Sequence, residues 1–232
     1  MKRVVVLTGA GVSQESGIKT FRDLGGIWQQ VRIEDVASPV AFQRNPAHVH
    51  DFYNQRRRNL QRAEIQPNAA HRALADFEAR WPGGFAIITQ NVDDLHERAG
   101  SRRLLHMHGE LLKGLCAHCD SRIEWRDDMS VETVCPQCAR GGGMRPDVVW
   151  FGEMPYHLDE IDELVTRCDV FIAIGTSGVV YPAAGLGQTA AARGATTVEI
   201  NLEPTASPHF HRRLVGPASE QVPQFLADLL PA

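Results

Sequence analysis

Apolar runs alternate with amphipathic stretches along this chain, and the alternation predicts the fold. Four runs of five to seven residues are rich in branched side chains, as buried strands are. They cover about residues 3–8, 85–89, 169–175 and 196–201. Shorter strand candidates are LLHMH at 104–108 and VVWFG at 148–152, and the 3.6-residue period predicts helices over 68–80, from Pro182 onward and over 219–230. This order is typical of an α/β protein with a Rossmann-like, doubly wound, mostly parallel sheet.

Two stretches interrupt the alternation. Residues 31–83 contain only helical patterns, and residues 111–145 are rich in cysteine. We expect both to be insertions that together form a smaller lobe. Residues 1–30, 84–110 and 146–232 would then make up one Rossmann-like domain.

The segment HVHDFYNQRRRNLQRA, residues 48–63, predicts a helix with a charge on its apolar face. The apolar and aromatic residues that share this face are Val49, Phe52, Tyr53 and Leu60. Arg56 lies in the middle of the stripe, whereas Arg57 and Arg58 are expected to rotate toward water. Because an unpaired buried charge is costly, Arg56 needs an anionic partner, either within the protein or in a ligand.

The charge balance limits the classes of partner. Lys and Arg number 24 and Asp and Glu 28, and this net charge of −4 argues against binding nucleic acid through phosphate contacts. A basic patch at 56–58 is the local alternative. No apolar run approaches the ~20 residues of a membrane span, and the N-terminus lacks a signal-peptide layout, so we expect a cytoplasmic protein.

Two C-x2-C pairs, CAHC and CPQC, indicate a metal site. Each tight turn can direct two thiolates to one point, and the fifteen residues between the pairs suit a zinc-binding module over 111–145. The predicted ligands of one structural zinc ion are Cys116, Cys119, Cys135 and Cys138. Four thiolates close a tetrahedral shell and leave no open position for catalysis. Disulfides, or His118 as a competing ligand, are the alternatives, and Cys168 is expected to be a core residue.

A glycine turn follows the first strand, where a nucleotide could bind. Gly9 and Gly11 lie at a strand end of the kind that receives phosphates. The signal is weak by itself, because Gln14 replaces the third glycine of the dinucleotide fingerprint. Three more polar segments follow predicted strands: TQNVDDLH at 89–96, GTS at 175–177 and NLE at 201–203. In a doubly wound sheet such segments meet at one edge, which favours a shared ligand cleft.

These motifs, together with HMHGEL and VVWFGE, occur in the order seen in sirtuins. The chain resembles the class III, bacterial CobB-like members of that family from about residue 3 to about residue 230. The resemblance implies an NAD-dependent protein-lysine deacylase with NAD as co-substrate and one structural zinc ion. Its partners would be acylated lysines of proteins, carrying succinyl, malonyl or acetyl groups, and its products nicotinamide, acyl-ADP-ribose and free lysine. A monomer is expected.

The resemblance also implies the catalytic residues. His108, the histidine before glycine in HMHG, would be the general base that takes a proton from the ribose, because imidazole titrates near neutrality. His106 lies on the same face by strand alternation and is the alternative base. Asn91 would fix the ribose beside the base, and Asp93 would accept a hydrogen bond from the nicotinamide carboxamide.

The implied NAD contacts come from the glycine turn, from the polar segments at the strand ends and from the last helix. Backbone amides of the glycine turn would hold the pyrophosphate with help from Arg22, and Phe21 would screen the reacting carbon from water. Glu203 has the alternative of being a solvated loop acid. The full set is Gly9, Ala10, Gly11, Ser13, Ser16, Ile18, Phe21, Arg22, Trp28, Gln90, Asn91, Val92, Asp93, Gly175, Thr176, Ser177, Asn201, Leu202, Glu203 and Ala218.

The acyl group would be bound by the YNQR motif. In class III sirtuins a Tyr-x-x-Arg pair on this helix binds an acidic acyl group, so Tyr53 and Arg56 would hold its carboxylate and Ala37 would widen the pocket. The alternative is that Arg56 pairs with an internal acid, Asp51 or Glu64. The substrate backbone would add as a strand. The residues expected along it are Val149, Phe151, Gly152, Glu153 and Val180.

Three other functions fit parts of the pattern. An NAD-dependent oxidoreductase could use the same cleft, but the missing third glycine and the cysteine insertion count against it. An ADP-ribosyltransferase would leave label from NAD on protein. A zinc-ribbon sensor that binds NAD or nucleic acid without turnover is disfavoured by the net charge and by His108.

Overall fold

A six-stranded parallel sheet forms the centre of the computed structural model, which describes residues 1–19 and 32–231. The strands are β1 (Val4–Thr8), β2 (Phe85–Thr89), β3 (Leu104–His106), β7 (Val170–Ile174), β8 (Thr196–Asn201) and β9 (Arg212–Val215). They lie in the order β3-β2-β1-β7-β8-β9, so the chain runs outward from β1 on one side and later returns to its other side. Ligands bind where the strand order reverses in this way. The four longer predicted strands are confirmed to within one residue at each end.

Helices cover both faces of this sheet. Within the described residues they are α1 (Ile33–Val36), α2 (Pro39–Arg44), α3 (Pro46–Leu60), α4 (Ala69–Arg80), α5 (Leu95–Ala99), α6 (Leu158–Thr166), α7 (Ala183–Ala192) and α8 (Ala218–Leu229). On one face Leu74 of α4 packs with Val6, and on the other Ile161 of α6 packs with Leu7 and the buried Cys168. Successive residues of β1 thus serve opposite cores, which confirms the doubly wound fold. None of the described helices has the length and apolarity needed to cross a membrane.

A small antiparallel sheet carries the cysteine module. It consists of β4 (Gly109–Cys116), β5 (Arg122–Glu124) and β6 (Met144–Val148), in the order β5-β4-β6. The strand predicted at 148–152 is wrong beyond Val148, because the chain leaves the sheet there and buries Trp150 under the Arg145 guanidinium, 3.5 Å from the ring centroid. The candidate strand at 104–108 likewise ends at His106. The domain limits stay a prediction.

Helix α3 buries a different arginine from the one that its apolar stripe indicates. Arg57, expected to face water, is fully buried, and its Nε donates to the Leu111 carbonyl at 3.2 Å. Its Nη1 donates to the Asn54 side chain at 2.8 Å, and Asn54 exchanges two hydrogen bonds with the backbone of Met129. The prediction failed because the cysteine module covers this side of the helix and satisfies the guanidinium with neutral acceptors. Arg58 is exposed, as expected.

Candidate active site

The glycine turn after β1 packs directly on the turn after β7. The amide of Gly9 donates to the Ile174 carbonyl at 3.0 Å, and the amide of Gly11 donates to the Gly175 carbonyl at 2.9 Å. A Cβ on Gly9 would lie 2.7 Å from the Gly175 oxygen, and one on Gly11 would lie 2.8 Å from the Gly175 Cα. Both positions therefore require glycine because two backbones approach each other, whatever ligand binds above them.

Internal hydrogen bonds occupy most of the amide groups expected to hold a pyrophosphate. Besides Gly9 and Gly11, the amide of Ser13 donates to the Ala10 carbonyl at 3.1 Å, within a short 3-10 turn. Of the amides of Gly9, Ala10, Gly11 and Ser13, three are thus already paired within the protein. We therefore narrow the expected amide contact to Ala10.

Asn91 connects the glycine turn to the loop after β2. Its side-chain amide donates to the Gly9 carbonyl at 3.2 Å and to the Ser13 hydroxyl at 3.1 Å. Its own backbone amide donates to the Thr89 hydroxyl. Only 6% of Asn91 is exposed, so this side chain is fixed at the base of the site.

The segments after β7 and β8 join the same cluster. The side-chain amide of Gln90 donates to the Thr176 hydroxyl at 2.9 Å, and that of Asn201 donates to the Thr176 carbonyl at 2.8 Å. The glycine turn and the three polar segments therefore meet at one edge of the sheet, as the sequence predicts. Ser177, Leu202 and Glu203 lie exposed beside this cluster.

The start of α8 is held by a contact that the sequence did not indicate. The carboxylate of Glu15 accepts hydrogen bonds from the Ser219 amide at 3.0 Å and from the Ser219 hydroxyl at 2.6 Å. Ala218, expected at the nucleotide, begins this helix and is 7% exposed. A carboxylate at a helix N-terminus is favourable, because it pairs with amides that have no partner in the helix.

The first turn of α4 supplies two further residues that the sequence analysis missed. The side-chain amide of Asn68 donates to the Ser16 hydroxyl at 3.0 Å, and the His71 ring lies 3.4 Å from the Ser13 hydroxyl. Burial lowers the pKa of His71 to about 4, so its ring is neutral. The sequence predicted only a helix over 68–80 here and gave no signal of a site.

His108 is oriented by one hydrogen bond. Its Nδ1 lies 3.1 Å from the Gln90 carbonyl, and because a carbonyl only accepts, Nδ1 carries the hydrogen. In the neutral ring Nε2 then holds the lone pair. Burial lowers the pKa of His108 below its ordinary value, against the opposing effect of the Gln90 bond. His108 is therefore a neutral imidazole at neutral pH, with Nε2 able to accept a proton.

His106 has both ring nitrogens engaged. Nδ1 donates to the Asn91 carbonyl at 3.1 Å, and Nε2 donates to the Glu97 carboxylate at 2.6 Å. Burial lowers the pKa of His106, but the hydrogen bond and charge of Glu97 outweigh burial and the net pKa is raised. A ring that donates from both nitrogens cannot accept a proton, so the geometry favours His108 over His106 as the base.

Asp93 is a buried carboxyl beside these histidines. It is 7% exposed and accepts a hydrogen bond from the Leu95 amide at 3.1 Å. Burial raises its pKa from 3.8 to about 6, although the bonds from Leu95 and Ser13 and the charge of His106 oppose this. Asp93 is therefore ionised at neutral pH, at a cost to the folded state.

Replacing Asp93 with asparagine is expected to stabilise the fold at neutral pH. The folded pKa lies above the ordinary one, so the folded state binds the proton more tightly, and stability falls as pH rises from about 4 to about 6. Asparagine removes that cost, and we expect the free energy of unfolding to rise by about 1–3 kcal/mol near pH 7. Near pH 4 the gain should vanish.

Urea titrations at both pH values measure this difference. Asp51→Asn, at an exposed carboxylate of α3, is the matched control and should change neither value. A loss of stability in Asp93→Asn near neutral pH would show that the carboxylate makes contacts that outweigh its burial.

Tyr53 presents a neutral hydroxyl donor. It is 4% exposed, and its oxygen accepts a hydrogen bond from the Trp150 indole at 2.9 Å, which leaves the hydroxyl hydrogen for another acceptor. Burial raises the pKa of Tyr53 to about 12. Ala37 is buried in the same core cluster, and its carbonyl accepts from the Phe151 amide at 3.0 Å. Helix α3 and Ala37, expected at the acyl group, are thus in contact with the segment after β6, which is expected along the substrate backbone.

Arg56 lies half-buried beside this hydroxyl. Its guanidinium carbon is 5.3 Å from the Phe52 ring centroid. Burial lowers its pKa, while the nearby Tyr53 and Asp93 raise it, and a guanidinium stays charged at neutral pH. Asp51 and Glu64, the internal acids considered as partners, are exposed and interact with Gln55 and Arg62.

The segment after β6 has a rigid base and an exposed rim. Glu153 forms two hydrogen bonds with Arg145, at 2.6 and 2.9 Å, and accepts from the Trp150 amide at 2.8 Å. Its carboxylate therefore holds this loop together, and its contact with the substrate backbone stays a prediction. Phe151 is 52% exposed and Gly152 has a φ of 93°, so they form the outward turn.

The remaining predicted residues have simpler positions. Val149 donates its amide to the His108 carbonyl at 2.9 Å, and Val180 is 36% exposed. Ile18 and Val92 pack against the core cluster that contains Tyr53 and Ala37. Phe21, Arg22 and Trp28 lie outside the described residues.

The four predicted zinc ligands form a compact thiol cluster. The sulfurs of Cys116, Cys119, Cys135 and Cys138 all lie within 4.8 Å of one another. Two of the pairs are 3.8 Å apart, and a tetrahedron with Zn–S bonds of about 2.3 Å has edges of about 3.8 Å. The His118 ring bonds to a backbone carbonyl instead of turning to the cluster. The geometry suits one zinc ion in a closed shell.

The chain matches the model of the Sir2 family over residues 9–182. It is 56% identical over 230 residues to an NAD-dependent protein deacylase of Bdellovibrio bacteriovorus, and the match covers 99% of this chain and 97% of that relative.

Two solved structures are similar to this one. A crystal structure of a Sir2 homologue in complex with NAD has a TM-score of 0.88 and 41% identity, covering 98% of this chain and 89% of that chain. A Sir2 structure with a p53 peptide and NAD+ has a TM-score of 0.79 and 29% identity, covering 97% and 92%.

Proposed function

The chain belongs to the Sir2 family, and we propose that it removes acyl groups from lysine side chains of proteins with NAD as co-substrate. A relative with the name NAD-dependent protein deacylase matches nearly the whole chain. Similar structures hold NAD and, in one case, a peptide. The products are nicotinamide, acyl-ADP-ribose and free lysine.

The observation that carries this proposal is the orientation of His108. The bond from Nδ1 to the Gln90 carbonyl leaves Nε2 as the basic nitrogen, and Gln90 is itself bonded to the turn after β7. A neutral imidazole fixed at the edge where the strand ends meet is suited to take a proton from a ribose hydroxyl. The lowered pKa of His108 keeps this ring neutral around neutral pH.

Other groups of the protein would bind and orient the parts of NAD. When NAD is bound it supplies an anomeric carbon that becomes electrophilic as nicotinamide departs. Asp93, ionised and buried, would accept a hydrogen bond from the nicotinamide carboxamide. Asn91 would position the ribose from its fixed place beside Gly9 and Ser13, and the amide of Ala10 would meet the pyrophosphate.

We propose acidic acyl groups as preferred substrates, with acetyl groups also accepted. Tyr53 has a hydroxyl hydrogen to donate, and Arg56 adds a planar cation about one helical turn away on the same helix. Together they would hold the terminal carboxylate of a succinyl, malonyl or glutaryl group through charge-assisted bonds.

The product assay tests the function directly. Purified protein is incubated with NAD and a lysine peptide in acetylated and succinylated forms, and the products are separated by mass. We expect nicotinamide, free-lysine peptide and acyl-ADP-ribose in equal amounts. NADH absorbance would instead indicate an oxidoreductase, and ADP-ribose attached to the peptide would indicate an ADP-ribosyltransferase. If no product is released, the protein could only bind NAD without turnover, and the proposed deacylase function would be contradicted.

The oligomeric state and the cellular location stay predictions from the sequence. A monomer would be shown by light scattering on the eluted protein, and a cytoplasmic location by cell fractionation. Neither affects the assignment of the site.

A further inference from the structure

His106 is a charged histidine that the proposed reaction does not use as a base. It is 7% exposed, ends β3 and lies two residues before His108. Its two hydrogen bonds run to the Asn91 carbonyl and to the Glu97 carboxylate, so the ring holds a positive charge inside the site. Burying a charge is costly unless the charge is paired, and here the Glu97 carboxylate, 2.6 Å from Nε2, is the partner.

The two histidines hold consecutive carbonyls of one loop. His108 donates to the carbonyl of Gln90, and His106 donates to that of Asn91. The Gln90 carbonyl therefore cannot turn away from His108 unless the hydrogen bond between His106 and the adjacent Asn91 carbonyl breaks. That coupling makes the tautomer of His108 depend on the bond made by His106.

Among the residues that the structure describes, the charges around His106 come from three elements. Glu97 on α5 is bonded to it, Glu110 on β4 lies close to it and is paired with Lys113, and Asp93 lies in the loop after β2. The neighbouring His96 is fully buried, and burial keeps its pKa well below the ordinary value, so it adds no charge. The charge of His106 favours the carboxylate form of Asp93, whereas that of Glu97 opposes it.

We infer that His106, as an imidazolium held by Glu97, is a positioning residue of the reaction: it fixes the Asn91 carbonyl and places a positive charge beside Asp93. The inference rests on the proposed function for its kinetic consequence. Loss of the ring would loosen the loop that orients His108, and loss of the charge would make Asp93 harder to ionise.

The pH dependence of kcat/KM for NAD in His106→Gln tests the charge. Removing the positive charge while Glu97 remains raises the pKa of Asp93, so activity should be lost at higher pH than in the wild type. We expect the acid limb to move upward by about half a pH unit or more, with a larger loss of activity near pH 6 than near pH 8. His48→Gln, at an exposed position of α3, is the control and should leave the profile unchanged.

A double variant, His106→Gln with Glu97→Gln, separates charge from structure. It removes both charges, so the acid limb should return toward its wild-type position although the ring is still absent. A purely structural role would instead lower activity by one factor at every pH in both variants, and that result would overturn the inference.

The protonation state can be measured without turnover. In wild-type protein, nitrogen NMR of the histidine rings should show His106 with both nitrogens protonated near pH 7, where an ordinary histidine is mostly neutral. A neutral His106 there would overturn the inference even if the enzyme is active. Absence of nicotinamide release by the wild type would contradict the proposed function instead, and the ring measurement would still decide the state of His106.

Discussion

Replacing His108 with alanine should reduce kcat/KM for deacylation by roughly 10²–10⁴-fold, the range usual for loss of a general base. The variant lacks Nε2, the basic ring nitrogen of His108. In the wild type this nitrogen is unprotonated because Nδ1 donates to the Gln90 carbonyl. The rate of free-lysine peptide formation at saturating NAD measures the loss. We propose that the proton transfer follows the departure of nicotinamide, so exchange of labelled nicotinamide into NAD should fall much less than deacylation.

Two controls separate this effect from damage to the fold. His48→Ala, on the exposed side of α3, should retain activity, and the zinc content of His108→Ala should equal that of the wild type. Full deacylation by His108→Ala would refute its role as the base. Restoration of activity by added imidazole would support that role.

Replacing Arg56 with methionine should abolish most succinyl removal and spare acetyl removal. Methionine fills a similar volume without charge, so the succinyl carboxylate would enter a buried pocket with Tyr53 as its partner and without the guanidinium. Loss of a desolvated charge partner costs about 2–5 kcal/mol, or roughly 30-fold or more in kcat/KM. The ratio of kcat/KM for succinylated and acetylated forms of one peptide measures the effect.

The matched control lies on the same helix. Arg58 is exposed and pairs with Asp128 at the cysteine module, so Arg58→Met removes a guanidinium without touching the pocket. For Arg58→Met, the ratio of kcat/KM for the succinylated and acetylated peptides should equal the ratio measured for the wild type. If Arg56→Met lowers both activities by one factor, Arg56 supports the fold of the lobe and the preference for acidic acyl groups loses its physical basis.

Most of the central sheet could be predicted from the sequence because its strands are buried on both sides. A strand such as β1 needs apolar residues at every position, and such runs stand out from the helical patterns around them. The edge strand β9 has the sequence RRLV and is half polar, so it leaves no such run. Trp150 shows the converse error, since an apolar run can be buried in an irregular segment as well as in a strand.

The candidate site was predictable where chemistry depends on residue order, and not where it depends on contacts. The spacing of the cysteines and the glycine turn can be recognised directly as patterns along the sequence. The pairing of the Gly9 and Gly11 amides and the bond from Asn68 to Ser16 depend on which segments, distant in sequence, lie side by side at the edge of the sheet. No local pattern encodes those neighbours.

Arg57 shows the same limit most clearly. A stripe of apolar residues identifies the face of a helix that meets the core, but it does not reveal that a second module covers the adjoining face. The fully buried guanidinium is satisfied by the Leu111 carbonyl and by Asn54, which a sequence pattern has no means to indicate.

Because of the same contacts, we expect α3 and the cysteine module to open as one cooperative unit. If the module swung away from the helix, Asn54 would lose both bonds to Met129 and the charge of Arg57 would be left in the interior with fewer acceptors. Slow amide exchange should therefore extend across both elements with a common opening rate. Any process that empties the thiol cluster would then disturb the helix that carries Tyr53 and Arg56 before it disturbs the parallel sheet. Loss of zinc is therefore expected to affect the proposed acyl pocket on α3 before it affects the proposed nucleotide site at the edge of the parallel sheet.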